Sequence, residues 1–345
     1  MGHRTEEIIR VGGVDELVDR GLRADEEGDI DTAERILDEA GHRLGENHPR
    51  VLHLAGRIAW AHGDIERATG FLQQATDAEP DRAEIYIDCA RCLHLMGEDN
   101  HAEQQVRVAL ALAGVEPMHQ GDARLLLSQI RLDDDDPEEA LEHLEAIPEQ
   151  LKGRALYFSA RADVLVELDR GEEALTCLAR AVALEPEEPD FHYQRGLTQL
   201  AHGDLEGGGR SLVRVLELEA QLRGDVPPPT AQECKTLQEQ LEAAMAELPD
   251  PLLQLVGGAP IAVQGSASVE QVQAGADPRA AVFFEGRPKL DDQEADLVKI
   301  VLARDVLVDE IDDDDGIGET LLVSLVEEIS DFFARDDLIY SEAGA

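Results

Sequence analysis

The chain has 345 residues, of which 43% are hydrophobic, and a formal net charge of −45 at pH 7. This charge argues against nucleic acid and anionic membranes as partners, because both are polyanions. Aromatic residues make up only 3% of the chain, which favours helices packed through small side chains over β-sandwiches or barrels.

We expect a cytoplasmic protein. The N-terminal sequence contains no apolar stretch typical of a signal peptide, and no run reaches the roughly 18 apolar residues of a membrane span. The four cysteines lack the spacing of a disulfide framework, which indicates reduced thiols.

A repeat of 34 to 38 residues fills residues 14–222, after an N-terminal segment at 1–13. A small residue of the second helix in each repeat sets the phase: Ala33, Ala68, Ala102, Ala140, Ala174 and Gly208. Five residues earlier comes a turn residue: Gly28, Gly63, Gly97, Asp135, Asp169 and Gly203. Twelve residues earlier comes another small residue: Gly21, Gly56, Ala90, Ser128, Ala162 and Gly196. Small residues let two helices approach closely, and Gly or Asp suits the turn between them.

This pattern resembles the tetratricopeptide repeat. The resemblance implies a mostly helical chain with a right-handed α-solenoid of about six repeats. Such solenoids present a concave surface, made by the first helix of each pair, to a protein or peptide partner. By the family's pattern, the exposed positions of this surface in the second and third repeats are Arg50, His53, Arg57, Arg91 and His94.

These five residues form a basic strip in an acidic protein. Arginine binds carboxylates bidentately, so the strip predicts binding of an acidic peptide or a chain terminus. The alternative is that they are ordinary solvated side chains.

A proline-rich linker at 223–230 ends the repeat pattern. Beyond it we predict a small α+β domain at 231–340 and a tail at 341–345. Its predicted elements are a helix at 231–248, strands at 259–264, 282–284 and 297–302, and a final helix at about 318–333.

The final helix contains Glu327-Glu328-Ile329-Ser330-Asp331, followed by Ala334 and Asp337. This stretch resembles the active helix of the minimal zincin-like zinc metallopeptidases, which carries His-Glu-x-x-His, then Gly and Asp. Glu327 and Asp331 stand where the family has its two histidines, and Ala334 where it has glycine. The order of Asp277-Pro278, Phe284-Glu285-Gly286 and the strand ending near Leu302 extends the resemblance over most of 231–340.

The resemblance implies a zinc site that has been dismantled. In the family, two imidazoles and a later carboxylate hold zinc, and the glutamate after the first histidine acts as general base. Every histidine of this chain lies at or before His202, so zinc lacks its preferred ligands here. Glu327, Asp331 and Asp337 are then either a solvated surface or a weak Ca²⁺, Mg²⁺ or Mn²⁺ site. A third alternative is an active hydrolase that uses these carboxylates and Glu328 as general base.

We therefore predict a non-catalytic adaptor or scaffold with a pseudo-metallopeptidase domain and no required cofactor. The partner is a protein or peptide, with no nucleic acid and no membrane. The sheet edge near Val298–Leu302 is expected to retain peptide binding by analogy with related peptidases. The alternative function is a divergent metal-dependent peptidase.

Overall fold

The computed structural model describes residues 16–112, 114–289, 294–310 and 317–334, with the side chains of 308–310 left out. The chain divides into two compact units, Met1–Leu184 and Glu185–Ala345. Within the described ranges, no helix is long and apolar enough to cross a membrane.

The first unit, over the residues described, consists of helices in successive pairs. Their bounds are α1 (16–26), α2 (Ile30–Leu44), α3 (Pro49–Ala61), α4 (Ile65–Ala78), α5 (Ala83–Leu95), α6 (Asp99–Ala111), α7 (Pro117–Asp133), α8 (Pro137–Glu145), a 3-10 turn (Glu149–Leu151), α9 (Ala155–Glu167) and α10 (Gly171–Leu184). The second unit contains α11 (Pro189–Ala201), α12 (Leu205–Arg223), α13 (Ala231–Glu247), α14 (Asp250–Val256), β1 (Ile261–Gln264), α15 (Val269–Gln273), β2 (Val282–Arg287), β3 (Asp296–Ala303), α16 (Arg304–Glu310) and α17 (Ile317–Phe333).

The predicted turn residues all adopt the left-handed backbone conformation. Their φ angles are 76° at Gly28, 77° at Gly63, 73° at Gly97, 60° at Asp135, 56° at Asp169 and 80° at Gly203. Glycine adopts this conformation without steric cost, and aspartate tolerates it better than most residues. The turn prediction is confirmed.

An aspartate next to four of these turns caps the following helix. Its carboxylate accepts a hydrogen bond from a backbone N–H of the first helical turn, which would otherwise lack a partner. The pairs are Asp29 with Thr32 at 3.1 Å, Asp64 with Arg67 at 3.1 Å, Asp136 with Glu139 at 3.0 Å, and Asp204 with Gly207 at 2.9 Å. Two adjacent residues thus end one helix and begin the next.

The predicted small residues lie where two helices cross. A Cβ atom added at Gly56 would lie 2.6 Å from Leu72 Cγ, and one at Gly196 would lie 2.8 Å from Leu212 Cδ2. The phase-setting alanines, such as Ala68, are fully buried. The pairs α3–α4 and α11–α12 therefore pack through glycine positions that tolerate almost no added volume.

The sixth helical pair, α11 and α12, lies in the second unit with the C-terminal elements. Leu212 and Leu216 of α12 belong to the same buried core as Leu237 and Leu241 of α13. The proline-rich segment 223–230 therefore lies inside this unit.

The sheet of the second unit has the order β1-β3-β2. β1 pairs with β3 in parallel, with Ile261 opposite Ile300, and β2 pairs with β3 antiparallel, with Val282 opposite Leu302. The expectation of a free sheet edge near Val298–Leu302 is wrong, because β3 is the central strand and residues 300–302 are paired on both sides. The edges belong to β1 and β2, and α17 packs its buried residues Leu321, Leu325, Ile329 and Phe332 into the core of this unit.

Candidate functional site

A groove of about 900 Å³ lies in the first unit, lined by the first helices of successive pairs. α1, α3, α5 and α7 supply most of its walls, and the residue before α9 completes them. Its charged lining residues are Arg23, Arg50, Arg57, Arg82, Arg91 and Arg154 with Asp19, Glu26, Glu84, Asp88 and Asp122. Six arginines thus face five carboxylates, in a chain whose net charge is −45.

Asp88 is a buried carboxylate that one histidine and two arginine side chains approach. His53 Nε2 lies 2.9 Å from one carboxylate oxygen, and Nη1 atoms of Arg57 and Arg91 lie 3.5 and 3.7 Å from the other. Burial alone would raise the pKa of Asp88, but the hydrogen bond with His53 and the nearby positive charges lower it below its ordinary value. Asp88 therefore stays ionised and holds α3 against α5.

Carboxylates of α1 pair with the arginines of α3. Asp19 pairs with Arg50, and Asp25 Oδ2 lies 2.6 Å from Arg57 Nη2. Burial opposes the charged form of Arg57, but Asp88 and Asp25 more than compensate and raise its pKa. These contacts join the first helices of neighbouring repeats.

The predicted exposure of the basic strip is wrong for two of its five residues. Arg50 is 4% exposed and pairs with Asp19 of α1, and His53 is 3% exposed and bonds to Asp88 of α5. Arg91 is partly exposed and lines the groove with Arg57. His94 pairs with Asp99 and Asp133 instead, at 2.6 and 3.3 Å, and is not among the residues that line the groove.

The repeat pattern does not mark two exposed arginines of the groove, Arg23 and Arg154. Arg23 Nε donates to the carbonyl oxygen of Asp19 at 3.1 Å, and Arg154 Nη1 lies 2.9 Å from Met118 Sδ. Over the described residues, neither arginine has an ion pair with a carboxylate. Arg154 precedes α9, outside the helical positions that the repeat pattern marks, so that pattern does not find it.

A second cavity, of about 550 Å³, lies in the second unit between β2, α17 and the segment around α15. Glu328 faces it and accepts a hydrogen bond from the Phe284 backbone N–H at 2.8 Å. Burial raises the pKa of Glu328 to about 7. The negative charges of Asp331 and Asp277 also raise this pKa, whereas the hydrogen bond from the Phe284 N–H lowers it.

The other residues of the degenerate motif take different positions. Glu327 and Asp331 are exposed on α17, Ile329 is fully buried and Ser330 is partly buried. Asp337 lies outside the described residues, so the carboxylate site for Ca²⁺, Mg²⁺ or Mn²⁺ is only partly described. Among the described residues, no group of three or more His, Cys, Asp and Glu side chains is arranged to hold a metal ion.

Two segments match models of known repeats. Residues 59–120 match a model described as tetratricopeptide repeat, and residues 162–203 match a model described as TPR repeat. The chain carries tetratricopeptide repeats. No curated protein matches the sequence.

Several solved structures are similar in fold. The Pseudomonas aeruginosa protein pilF superposes with a TM-score of 0.50 and 13% identity, over 61% of this chain and 93% of that one. A chain of the APC/C hetero-tetramer Cut9-Hcn1 superposes with a TM-score of 0.51 and 13% identity, over 59% of this chain and 40% of that one. At these identities, the likeness concerns the helical repeat fold alone.

Proposed function

We propose that this chain is a non-catalytic interaction scaffold that binds a protein or peptide in the groove of its first unit. The observation that carries the proposal is the 900 Å³ groove between the first helices of the repeats. A groove of this size accommodates an extended peptide or a helix, and its lining of side chains from several repeats provides many contact points.

We propose further that the partner is acidic. The groove has more arginines than carboxylates, although the whole chain has more than twice as many acidic as basic residues. Arginine matches the planar carboxylate with two parallel hydrogen bonds, which makes it the usual residue for recognising acidic groups. An acidic partner is therefore attracted to this groove more than to the remaining surface.

The test compares two pools of fluorescent octapeptides by fluorescence anisotropy with the full chain. One pool carries Asp and Glu at random positions, and the matched pool carries Asn and Gln there. We expect the acidic pool to bind more tightly, with an affinity that falls as salt is raised. Equal binding of both pools, or no binding of either, would contradict the proposal.

For residues 231–340 we propose a pseudo-metallopeptidase domain of zincin-like fold. Three observations support it: Glu328 faces the edge strand β2, the carboxylate Asp331 lines the same cavity, and Ala334 adopts a φ of 48° where the family has glycine. Zinc does not fit the donors present, because no histidine or cysteine lines this cavity over the described residues.

The alternative is a divergent metal-dependent peptidase, and the pKa of Glu328 near 7 favours it, since a general base works best near ambient pH. Its metal would be a hard cation held by Glu327, Asp331 and Asp337. The test is the metal content of the purified chain, with melting curves in EDTA, Mn²⁺ and Ca²⁺. We expect no stoichiometric metal and no shift; bound metal, together with cleavage abolished in Glu328→Gln, would establish the peptidase instead.

A further inference from the structure

Most of the arginines in the groove already have carboxylate partners within the chain. Asp19 pairs with Arg50, Glu84 with Arg82 at 2.7 Å, and Asp88 with His53, Arg57 and Arg91. Asp19–Arg50, Asp88–His53 and Asp88–Arg57 link neighbouring repeats, Glu84–Arg82 lies at the start of α5, and Asp88–Arg91 lies within α5. Because these arginines are already paired within the chain, their charges are less available to a ligand.

Arg23 and Arg154 are different. Both are exposed, both line the groove, and over the described residues neither has an ion pair. Arg23 comes from the first helical pair and Arg154 from the fifth. Their guanidinium groups retain donors for an incoming carboxylate, because their present partners are a single carbonyl oxygen and a thioether sulfur, which is a weak acceptor.

The base of the groove adds to the positive potential. Among the described residues, Arg50 Nε is a buried N–H donor without a hydrogen-bond partner. An N–H donor without an acceptor in a low-dielectric setting attracts negative charge. This favours an anion above it, whether or not the anion reaches the nitrogen itself.

We infer that Arg23 and Arg154 contact the ligand of this groove, and that the ligand is a peptide segment with at least two separated acidic side chains. This inference rests on the proposed function and names the residues that contact the ligand. Arg57 joins α3 to α1 and α5, Arg91 pairs with Asp88 of its own helix and lies 4.0 Å from Asp122 of α7, and His94 joins α5 to its neighbours. The apolar side chains of Leu22, Ile87 and Met118 line the same groove and suit the methylene groups of such a peptide.

Arg23 and Arg154 come from different ends of the row of repeats that lines the groove. Three helical pairs lie between theirs in the chain, so an extended peptide that contacts several repeats can offer a separate carboxylate to each arginine. A peptide with acidic residues apart from one another engages both at once, and the second contact is then intramolecular.

The experiment measures binding of the acidic octapeptide pool to the full chain and to two double variants. Arg23→Gln/Arg154→Gln removes the two groove charges. Arg107→Gln/Arg210→Gln is the matched control, because both arginines are exposed and lie outside the groove. Each double variant removes two positive charges, so the change in net charge is the same. Melting temperatures of both variants verify that the fold is kept.

We expect Arg23→Gln/Arg154→Gln to weaken binding by about tenfold or more, and the control to change it by less than about twofold. Binding by Arg23→Gln/Arg154→Gln that equals the control overturns the inference, while the proposed function stands. If the unmodified chain binds the acidic pool no better than the amide pool, the proposed function fails first, and the inference fails with it.

Discussion

The Arg279 guanidinium stacks on the Tyr193 ring, with its central carbon 4.5 Å from the ring centroid. The same guanidinium pairs with Asp190 at 2.6 Å and with Glu219 at 2.7 Å. The Tyr193 hydroxyl donates to Asp277 Oδ2 at 2.6 Å. Burial and, to a lesser extent, this hydrogen bond raise the pKa of Tyr193. Through Asp277 and Arg279, the segment before β2 thus contacts both α11 and α12, the helices of the sixth pair.

Arg279→Ala removes the stacking and both ion pairs at once. We expect the free energy of unfolding of the second unit to fall by about 1 kcal/mol, because the pairs are only partly shielded from water. Urea unfolding followed by circular dichroism measures the change. The control is Arg210→Ala, whose ion pair with Glu206 is exposed; equal midpoints for the two variants would show that Arg279 has no structural role.

Gly56 and Gly70 lie on α3 and α4, the two helices of one pair, and we expect alanine to have opposite effects on stability at these positions. A Cβ at Gly56 would lie 2.6 Å from Leu72 Cγ, whereas nothing lies within 4 Å of one at Gly70. We expect Gly56→Ala to destabilise by about 2 kcal/mol through overpacking. Gly70→Ala should stabilise by about 0.5–1 kcal/mol through helix propensity. Denaturant unfolding measures both, and a change of the same sign in both variants would contradict the crossing geometry.

Arg57→Glu tests whether the groove pairs hold the repeats together. The new carboxylate would lie beside Asp25 and the buried Asp88, so we expect a loss of about 3 kcal/mol in unfolding free energy. Arg43→Glu is the matched control, because its exposed pair with Glu39 contributes only a few tenths of a kcal/mol. Thermal melting measures the stability of both variants. Equal melting temperatures for Arg57→Glu and Arg43→Glu would show that Arg57 does not stabilise the contacts between repeats.

Glu328 predicts a pH dependence of stability. Its pKa is about 7 in the folded chain and about 4.3 when unfolded, so the folded state holds more protons between these values. The stability contributed by the protonated carboxyl is therefore lost as pH rises through 7.

Glu328→Gln removes that titration and keeps an acceptor for the Phe284 N–H. As pH rises from about 5.5 to about 8, we expect its unfolding free energy to rise by about 2 kcal/mol relative to that of the unmodified chain, because only the part of the pKa shift above pH 5.5 falls in this window. The exposed Glu327→Gln is the control. Parallel pH profiles of Glu328→Gln and the unmodified chain would contradict the raised pKa.

Features set by adjacent residues were predictable from the sequence. The turns at Gly28 and Asp169 follow from local backbone preference, and the final helix, predicted at about 318–333, runs from Ile317 to Phe333. The short helices α14, α15 and α16 were not predicted, because five to seven residues do not display a helical period. The strand order was not predicted either, since β1 and β3 are parallel and distant in sequence.

The candidate site was less predictable than the fold. The repeat pattern gives the position of Arg50 on its helix but not that Asp19, 31 residues earlier, neutralises it. Which cation remains unpaired depends on contacts between repeats, so Arg23 and Arg154 emerge only from the structure. The same holds for Glu328, whose raised pKa depends on its burial against β2.

Hydrogen–deuterium exchange of the full chain, with and without the acidic octapeptide pool, shows where an acidic peptide binds. We expect slower exchange in α1, α3, α5 and α7, the helices that line the groove of the first unit. Slower exchange confined to β2 and α17, or no change anywhere, would contradict binding in this groove.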